Sequence, residues 1–505
     1  MNFEIYFKEV REHDWSKSDL SHLVKHALPE ERGHYWGGKW HATSSGVRRV
    51  SANPSTNENL ADFAWGGPTE ADAAVKSAYS AFPAWAATPP LERGRLLRRA
   101  ADIVRAHAVE LALIDSADCG NPIKAMLMDA EIAATQLEYF AGLVLESKGE
   151  TIPTANGSLN YTLRQPLGVV ARIFPFNHPF MFAAGKMAAP LAAGCTVVLK
   201  PPEQACLSTL RLMALLDGVF PPGVLNCVTG GRDVGAALAS HPLVAAVGLI
   251  GSVPAGKSVL HAAADTMKHT LLELGGKNAM VIFPDADFDK AVVGAVQGMN
   301  FTWCGQSCGS TSRLFVHESL HNRFVEAMVA ELERRHSPGL ATDMRTTMGA
   351  MISEVQMNKT LSYIDSGLKD GAKLASGGRR VTGLNPGFFV EPTIFSGVKA
   401  NHRIAREEIF GPVLSVLSWD DPDELFDGVN GTEFGLTASL WTKDLATAHR
   451  AAARVDAGYV WVNGCSAHIV GASFGGFKQS GIGREESLQE LHEFTQIKNV
   501  NVNLK

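Results

Sequence analysis

Short apolar runs rich in valine and isoleucine recur in this chain at residues 168–174 (GVVARIF), 196–200 (TVVLK), 224–230 (VLNCVTG) and 245–250 (AAVGLI). Between them lie KMAAPLAAG, LSTLRLMALLDGVF and DVGAALASH, whose apolar residues fall on a helical period. A strand that is apolar throughout has no wet face, so both faces must be covered. Such strands alternating with helices imply βαβ units and a parallel, doubly wound sheet. A second alternating block runs from AMVIF (279–283) to about residue 470 and predicts a second α/β domain. From about residue 68, EADAAVKSAYSAFPAW and LERGRLLRRAADIVRAHAVELALID read as helices.

Length and charge narrow the function. A chain of 505 residues exceeds what one core fills, so two or three domains are expected. A formal charge of -6 leaves no basic excess to neutralise phosphates, which argues against a nucleic-acid binder. The opening stretch MNFEIYFKEVREHDW has neither a basic leader nor an apolar core, so no secretory signal is expected. No apolar run reaches the roughly 18 residues that span a bilayer, so no membrane partner is expected. The cysteines (119, 195, 206, 227, 304, 308, 465) are scattered and odd in number, as suits free thiols in the cytoplasm.

Two segments follow a period of two instead. NVNVNLK (499–505) puts Val500, Val502 and Leu504 on one face, and LNYTLR (159–164) does the same with Leu159, Tyr161 and Leu163. Half-buried strands of this type suit an antiparallel flap, covered by a second subunit or by the rest of the chain.

The polar punctuation carries the chemistry. After AAVGLI comes Gly251-Ser252-Val253-Pro254-Ala255-Gly256, without the usual G-x-G-x-x-G. Gly251 permits a tight turn, Ser252 is an N-cap, and a helix N-terminus behind a strand suits a phosphate. Lys200 and Glu203 follow TVVLK and could hold a ribose diol between them, or simply pair on the surface. In WCGQSCGSTSR (303–313), zinc would need a second ligand pair beside Cys304 and Cys308, and none stands out. A nucleophilic thiolate instead needs an exposed turn and donors for an oxyanion, which Gly305, Ser307, Gly309 and Ser310 leave room for. PFNHPF (175–180) offers Asn177 as an amide donor, or as an ordinary turn asparagine. LLELGGKN (271–278) places Glu273 in an apolar run, as a general base of raised pKa or as a partner of Lys277.

Taken together, PFNHP, TVVLKPPE, IGSVPAG, LELGGKN, GQSCGSTSR, EEIFGPV and SFGGFKQSGIGRE stand in the order and spacing of the aldehyde dehydrogenase superfamily. The resemblance runs from about WGGKW (36–40) to the C-terminus. It implies an α/β fold with a Rossmann-like NAD-binding domain (1–147 and 167–271) and an α/β catalytic domain (272–470). A small β oligomerisation flap (148–166 and 487–505) would complete it, in a homodimer or homotetramer. The resemblance makes Cys308 the thiol nucleophile and Cys304 a bystander. Asn177 and the Cys308 N–H become the oxyanion donors, Glu273 the base that activates water, and Lys186 the lysine of the tunnel helix. It puts Lys200 and Glu203 at the adenosine ribose of the cofactor, Ser252 at the pyrophosphate, and Glu408 and Phe410 beside the nicotinamide. Ile173, Phe174, Gly251 and Gly256 join them as cofactor-binding residues. NAD is expected over NADP, because the Glu203 charge repels a 2′-phosphate.

The family pattern also outlines a substrate tunnel, with Gly185 where a bulky aromatic is common. His178, Phe182, Trp303, Ser307, Gly309, His468 and Phe474 join it. The expectation is a roomy, largely apolar tunnel for a medium-sized apolar, aromatic or unsaturated aldehyde. Leu249-Ile250, Phe176 and Ser473 depart from the family's usual residues without removing a catalytic atom. The alternatives are a coenzyme A-acylating enzyme, which commonly lacks the glutamate, a thiol hydrolase using His178 or His468, and a non-catalytic structural relative.

Overall fold

Each apolar run of the first half becomes a strand of one sheet. In the computed structural model, which describes residues 18–155 and 157–503, Val169–Ile173 is flanked by Thr196–Lys200 on one side and Val244–Gly251 on the other. Leu225–Cys227 and His269–Leu274 extend the sheet outward, and all five strands are parallel. The chain lays down the central strand first, builds to one edge, then returns to build the other. That reversal is a topological switch point, where a crevice opens at the carboxyl ends of the strands. His34–Trp36 with Lys39–His41, and Gly481–Ile482, close the two edges antiparallel. The opening stretch and Leu504 lie outside the described residues.

Neighbouring residues of one strand feed opposite cores, as the unbroken apolar runs require. Val170 packs with helices such as Ile123–Gly142 and Pro179–Ala193, while Val169 and Ala171 pack with Pro68–Ala87 and Val253–Ala264. The second sheet places Ala279–Ile282 between Arg313–His317 and Thr437–Trp441, all parallel, with its own core. Val413–Trp419, Thr393–Ser396 and Tyr459–Val462 continue it in parallel, and Lys373–Ser376 ends it antiparallel. Among the described residues no helix is long and apolar enough to cross a membrane.

Two expected boundaries move. The division at 271/272 falls inside His269–Leu274, which stays hydrogen-bonded to Val244–Gly251 through Leu274 and takes on Gly481–Ile482 at its outer edge. Residues 487–494 are not flap: Leu488–Glu493 is a helix, and Leu491 and Phe494 sit in the first core. The flap proper pairs Ser158–Pro166 with Thr495–Asn503 and with Thr151–Ile152. Val500 faces Tyr161 and Val502 faces Leu159, yet Leu159 and Leu163 remain 43% exposed and Ile497 61%.

Charge is buried behind the central strand. Arg172 is 1% exposed, with Nη2 2.7 Å from Glu485 Oε1 and 3.9 Å from Glu490 Oε1. Gly248 on the adjacent strand makes room, since a Cβ there would overlap the guanidinium. Replacing Arg172 with leucine leaves two buried carboxylates short of a cation. Arg172→Leu is expected to lower unfolding stability by about 3–5 kcal/mol, read from the denaturant midpoint and slope.

Candidate active site

The segment carrying the two cysteines runs from helix Phe288–Gly298, through the turn Phe301–Trp303, to strand Arg313–His317. Asn300 and Cys304 take positive φ angles of 56° and 54°, which turn the chain sharply twice. Gly305 (φ 66°) admits no Cβ, because the Gly411 carbonyl occupies that space. Cys304 is fully buried in the second core, and burial pushes its thiol well up. Cys308 is half-buried and faces open space. The Asn278 carboxamide holds this loop, donating to the carbonyls of Cys308 (2.6 Å) and Ser310 (3.0 Å) and accepting from the Thr437 N–H (3.0 Å). A Cβ on Gly276 would lie 2.7 Å from the Cys308 carbonyl, so the Gly-Gly turn after Glu273 abuts the Cys308 loop.

Glu273 ends its strand 4% exposed, with Oε1 lacking a hydrogen-bond partner among the described residues. Burial, reinforced by the Glu485 charge, lifts its pKa to about 7, against the pull of the Cys308 thiol and Lys186. Burial and then the Glu273 carboxylate push the Cys308 thiol well above its ordinary range. Passing the proton from Cys308 to Glu273 moves a negative charge without creating one, so the pair can generate a thiolate in a dry site. Asn177 is 4% exposed, and its carbonyl accepts from Asn121 Nδ2 at 2.7 Å, which leaves the Asn177 side chain facing the cavity. Lys186 Nζ lies 2.8 Å from Glu485 Oε2. Burial opposes its charge, but Glu485, Glu490 and Glu486 outweigh burial, so Lys186 stays a fixed cation.

Asn177, Glu273 and Cys308 line two cavities at once, one of about 470 Å³ and one of about 160 Å³. The smaller cavity lies at the carboxyl ends of the first sheet and is lined by Gly251, Ser252, Glu408 and Phe410. Ser252 caps helix Val253–Ala264, with Oγ accepting from the Ala255 N–H at 3.4 Å. Burial raises the Glu408 carboxyl, and its Oε1 accepts from the Gly276 N–H at 3.0 Å. Phe410, at φ 56°, meets Phe176 edge-on at 5.8 Å.

Three expected cofactor contacts are placed differently. Gly256 is buried away from the cavity, and a Cβ on it would sit 2.5 Å from Leu274 Cδ1, so it serves helix–strand packing. The Phe174 ring belongs to the first core, and Ile173 packs against the core on the other face, so only their backbone is available to a ligand. Lys200 is 8% exposed, Glu203 is exposed, and they form no ion pair with each other. Burial lowers the Lys200 pKa despite the Glu203 charge. A buried ammonium beside a separate carboxylate suits a ribose diol, and the capped helix N-terminus at Ser252 suits a pyrophosphate. These groups fit a dinucleotide.

The larger cavity gathers His178, Phe182, Trp303, Ser307, Gly309, His468 and Phe474 as expected. Gly185 does not open it. The Gln136 carboxamide occupies the volume a Cβ on Gly185 would take, so the missing aromatic is replaced by an amide and not by space. Asp129 and Gln136 on helix Ile123–Gly142, and Glu486 after the last motif, also line the cavity and escaped sequence reasoning. Helical periodicity marks that helix as packed without indicating which residues face a ligand. Asn278 escaped as well, although it lies in a quoted motif. Its replacement by alanine frees the Cys308 loop. Asn278→Ala is expected to lower kcat about 100-fold with little change in NAD affinity, measured by steady-state kinetics and by fluorescence titration of the nucleotide.

Comparison with known proteins agrees with this arrangement. Residues 40–500 match the model of the aldehyde dehydrogenase family. The chain is 50% identical to "Aldehyde dehydrogenase tropH" of Talaromyces stipitatus, over 95% of each chain. It is 44% identical to a betaine aldehyde dehydrogenase of Mesorhizobium japonicum, over 93% of this chain and 96% of the relative. Among solved structures, an NAD+ complex of aldehyde dehydrogenase from Bacillus cereus superposes with a TM-score of 0.93 at 38% identity, covering 97% of this chain and 100% of that one. The indole-3-acetaldehyde dehydrogenase AldA of P. syringae, in complex with NAD+ and IAA, also reaches 0.93, at 37% identity over 95% and 98%. With a dinucleotide crevice meeting a buried thiol and carboxylate, this chain belongs to the aldehyde dehydrogenase family and is an NAD-dependent enzyme that oxidises an aldehyde to its acid.

Proposed function

We propose that Cys308 is the nucleophile and Glu273 the base of this oxidation. The observation that carries the reading is the wall of Asn177, Glu273 and Cys308 shared by the two cavities, which lets one carbon touch both. Glu273 takes the thiol proton, and Cys308 adds to the aldehyde carbon to form a thiohemiacetal anion. The Asn177 side chain and the Cys308 N–H donate to that oxyanion, each worth about 2–4 kcal/mol. NAD would be held by Lys200, Glu203, Ser252 and Glu408 and would supply the hydride acceptor, so that loss of hydride from the former aldehyde carbon leaves a thioester on Cys308. Once that first proton has passed to solvent, Glu273 deprotonates water, whose attack on the thioester releases the acid and the Cys308 thiolate, which regains a proton. Lys186 is a fixed positive charge beside Glu485 that offsets part of the negative charge buried around this chamber. Retention of Glu273 supports hydrolysis over transfer to coenzyme A.

The cavity of about 470 Å³, walled by Phe182, Trp303, Trp461 and Phe474, suits a medium-sized aromatic or unsaturated aldehyde. The flap's exposed Leu159, Leu163 and Ile497 support a homodimer or homotetramer. Seven free cysteines support a cytoplasmic setting.

The test is NADH formation across aliphatic, aromatic and unsaturated aldehydes without coenzyme A. Cys308→Ala is expected to abolish turnover; retained turnover, or a requirement for coenzyme A, overturns the reading. Because Glu273 acts as carboxylate and titrates at about 7, the deacylation rate rises with pH through that value. Glu273→Gln removes this limb and lowers kcat about 10²–10⁴-fold, and the single-turnover burst of NADH slows with it, because the thiol loses its base as well. In the flap, combined Leu159→Asp and Ile497→Asp is expected to yield a smaller particle by sedimentation.

A further inference from the structure

The larger cavity holds more hydrogen-bonding groups than chemistry at Cys308 needs. His178 and His468 each commit Nδ1 to a carboxylate, Asp129 at 2.7 Å and Glu486 at 2.9 Å. A carboxylate on Nδ1 keeps that nitrogen protonated, which leaves Nε2 as the ring's free position. Among the described residues no protein group bonds either Nε2. Nε2 accepts from a hydroxyl when the ring is neutral and donates to an oxyanion when it is protonated. Gln136 adds a third function: its amide lies over Gly185, lines the cavity and has no protein hydrogen bond among the described residues.

These groups stand among flat apolar walls. His178 lies edge-on to Phe182 at 5.6 Å and tilted against Trp303 at 5.6 Å, and His468 lies 4.4 Å from Phe474. A planar ring fits between such faces. A purely apolar ring would strip water from three polar groups without replacing it. A trimethylammonium aldehyde would meet the same aromatic faces, but Asp129 and Glu486 already serve imidazoles and Glu131 pairs with Arg105 at 2.9 Å, so those carboxylates do not balance its charge. Burial works against a proton on His468, yet Glu486 outweighs it and raises the imidazole, which adds repulsion for a cation.

We infer that this cavity selects an aldehyde on an aromatic or conjugated ring that also carries a hydroxyl or enol oxygen, bound by His178, His468 and Gln136. The inference rests on Cys308 as nucleophile, since the ring oxygens are read only when the aldehyde carbon is anchored there.

The experiment compares kcat/KM with NAD for benzaldehyde, its three monohydroxy isomers and betaine aldehyde. At least one hydroxy isomer is expected to exceed benzaldehyde about tenfold or more. In at least one of His178→Phe, His468→Phe and Gln136→Leu, that ratio is expected to fall about threefold or more. The ratio is independent of how much enzyme is folded, and the isomers' intrinsic reactivities cancel between wild type and variant. Benzaldehyde or betaine aldehyde leading the series, or a preference surviving in all three variants, overturns the inference while leaving the Cys308 reading intact. If the wild type turns over no aldehyde, the Cys308 reading fails instead. Ring selection is then decided by tryptophan-fluorescence titration of Cys308→Ala with 4-hydroxyacetophenone against acetophenone. About tenfold tighter binding of the former is expected, and equal binding refutes the selection.

Discussion

An excess of buried negative charge governs this molecule. Glu273, Glu485, Glu486 and Glu490 gather beside Arg172, Lys186 and His468, so they cannot all ionise cheaply. The two cations and the imidazole settle on Glu485 and Glu486, whose carboxyls are held below their usual range. Glu490 and Glu273 are left to bear the cost and are pushed up. A base that titrates near neutrality is thus a consequence first of burial and then of where the other charges went. Gly248 belongs to that arrangement because Arg172 needs its missing side chain.

Position is fixed by backbone more than by side chain. The nucleophile loop takes its path from positive φ at Asn300, Cys304 and Gly305, and its height from the Asn278 amide. Glu408 reaches its place because Gly275 has no Cβ to block it and Gly276 offers an N–H. The Gly-Gly turn therefore serves the nucleophile on one side and the cofactor crevice on the other. In the proposed mechanism that turn would let a hydride acceptor and a thiol address one carbon.

The substrate wall follows a different logic. Each histidine there is oriented by a carboxylate from elsewhere in the fold, Asp129 on one helix and Glu486 beyond the last strand of the first sheet. Those partners fix which nitrogen is offered. The aromatic faces that hold a ring and the polar atoms that would read its substituents thus come from separate parts of the chain.

Much of this was legible in residue order. Strands at 169–173, 196–200, 225–227 and 244–251, the helices between them and the two period-two flap strands follow from local periodicity, because burial of both faces or of one writes itself into neighbouring residues. Cys308, Glu273 and Asn177 were singled out by the family resemblance that their motifs carry together, while each motif taken alone left an ordinary structural reading open. Pairings across sequence were not legible. Gln136 filling the space over Gly185, Asp129 on His178, Glu486 on His468, Gly256 spent on Leu274 and the first sheet running past residue 272 join residues with no shared local pattern. Sequence by itself determined the two wound sheets and, through the family resemblance, the residues proposed to react. The tertiary structure alone decided which polar groups face the substrate and which carboxylate is left basic, because both depend on long-range packing that brings distant charges into one dry volume.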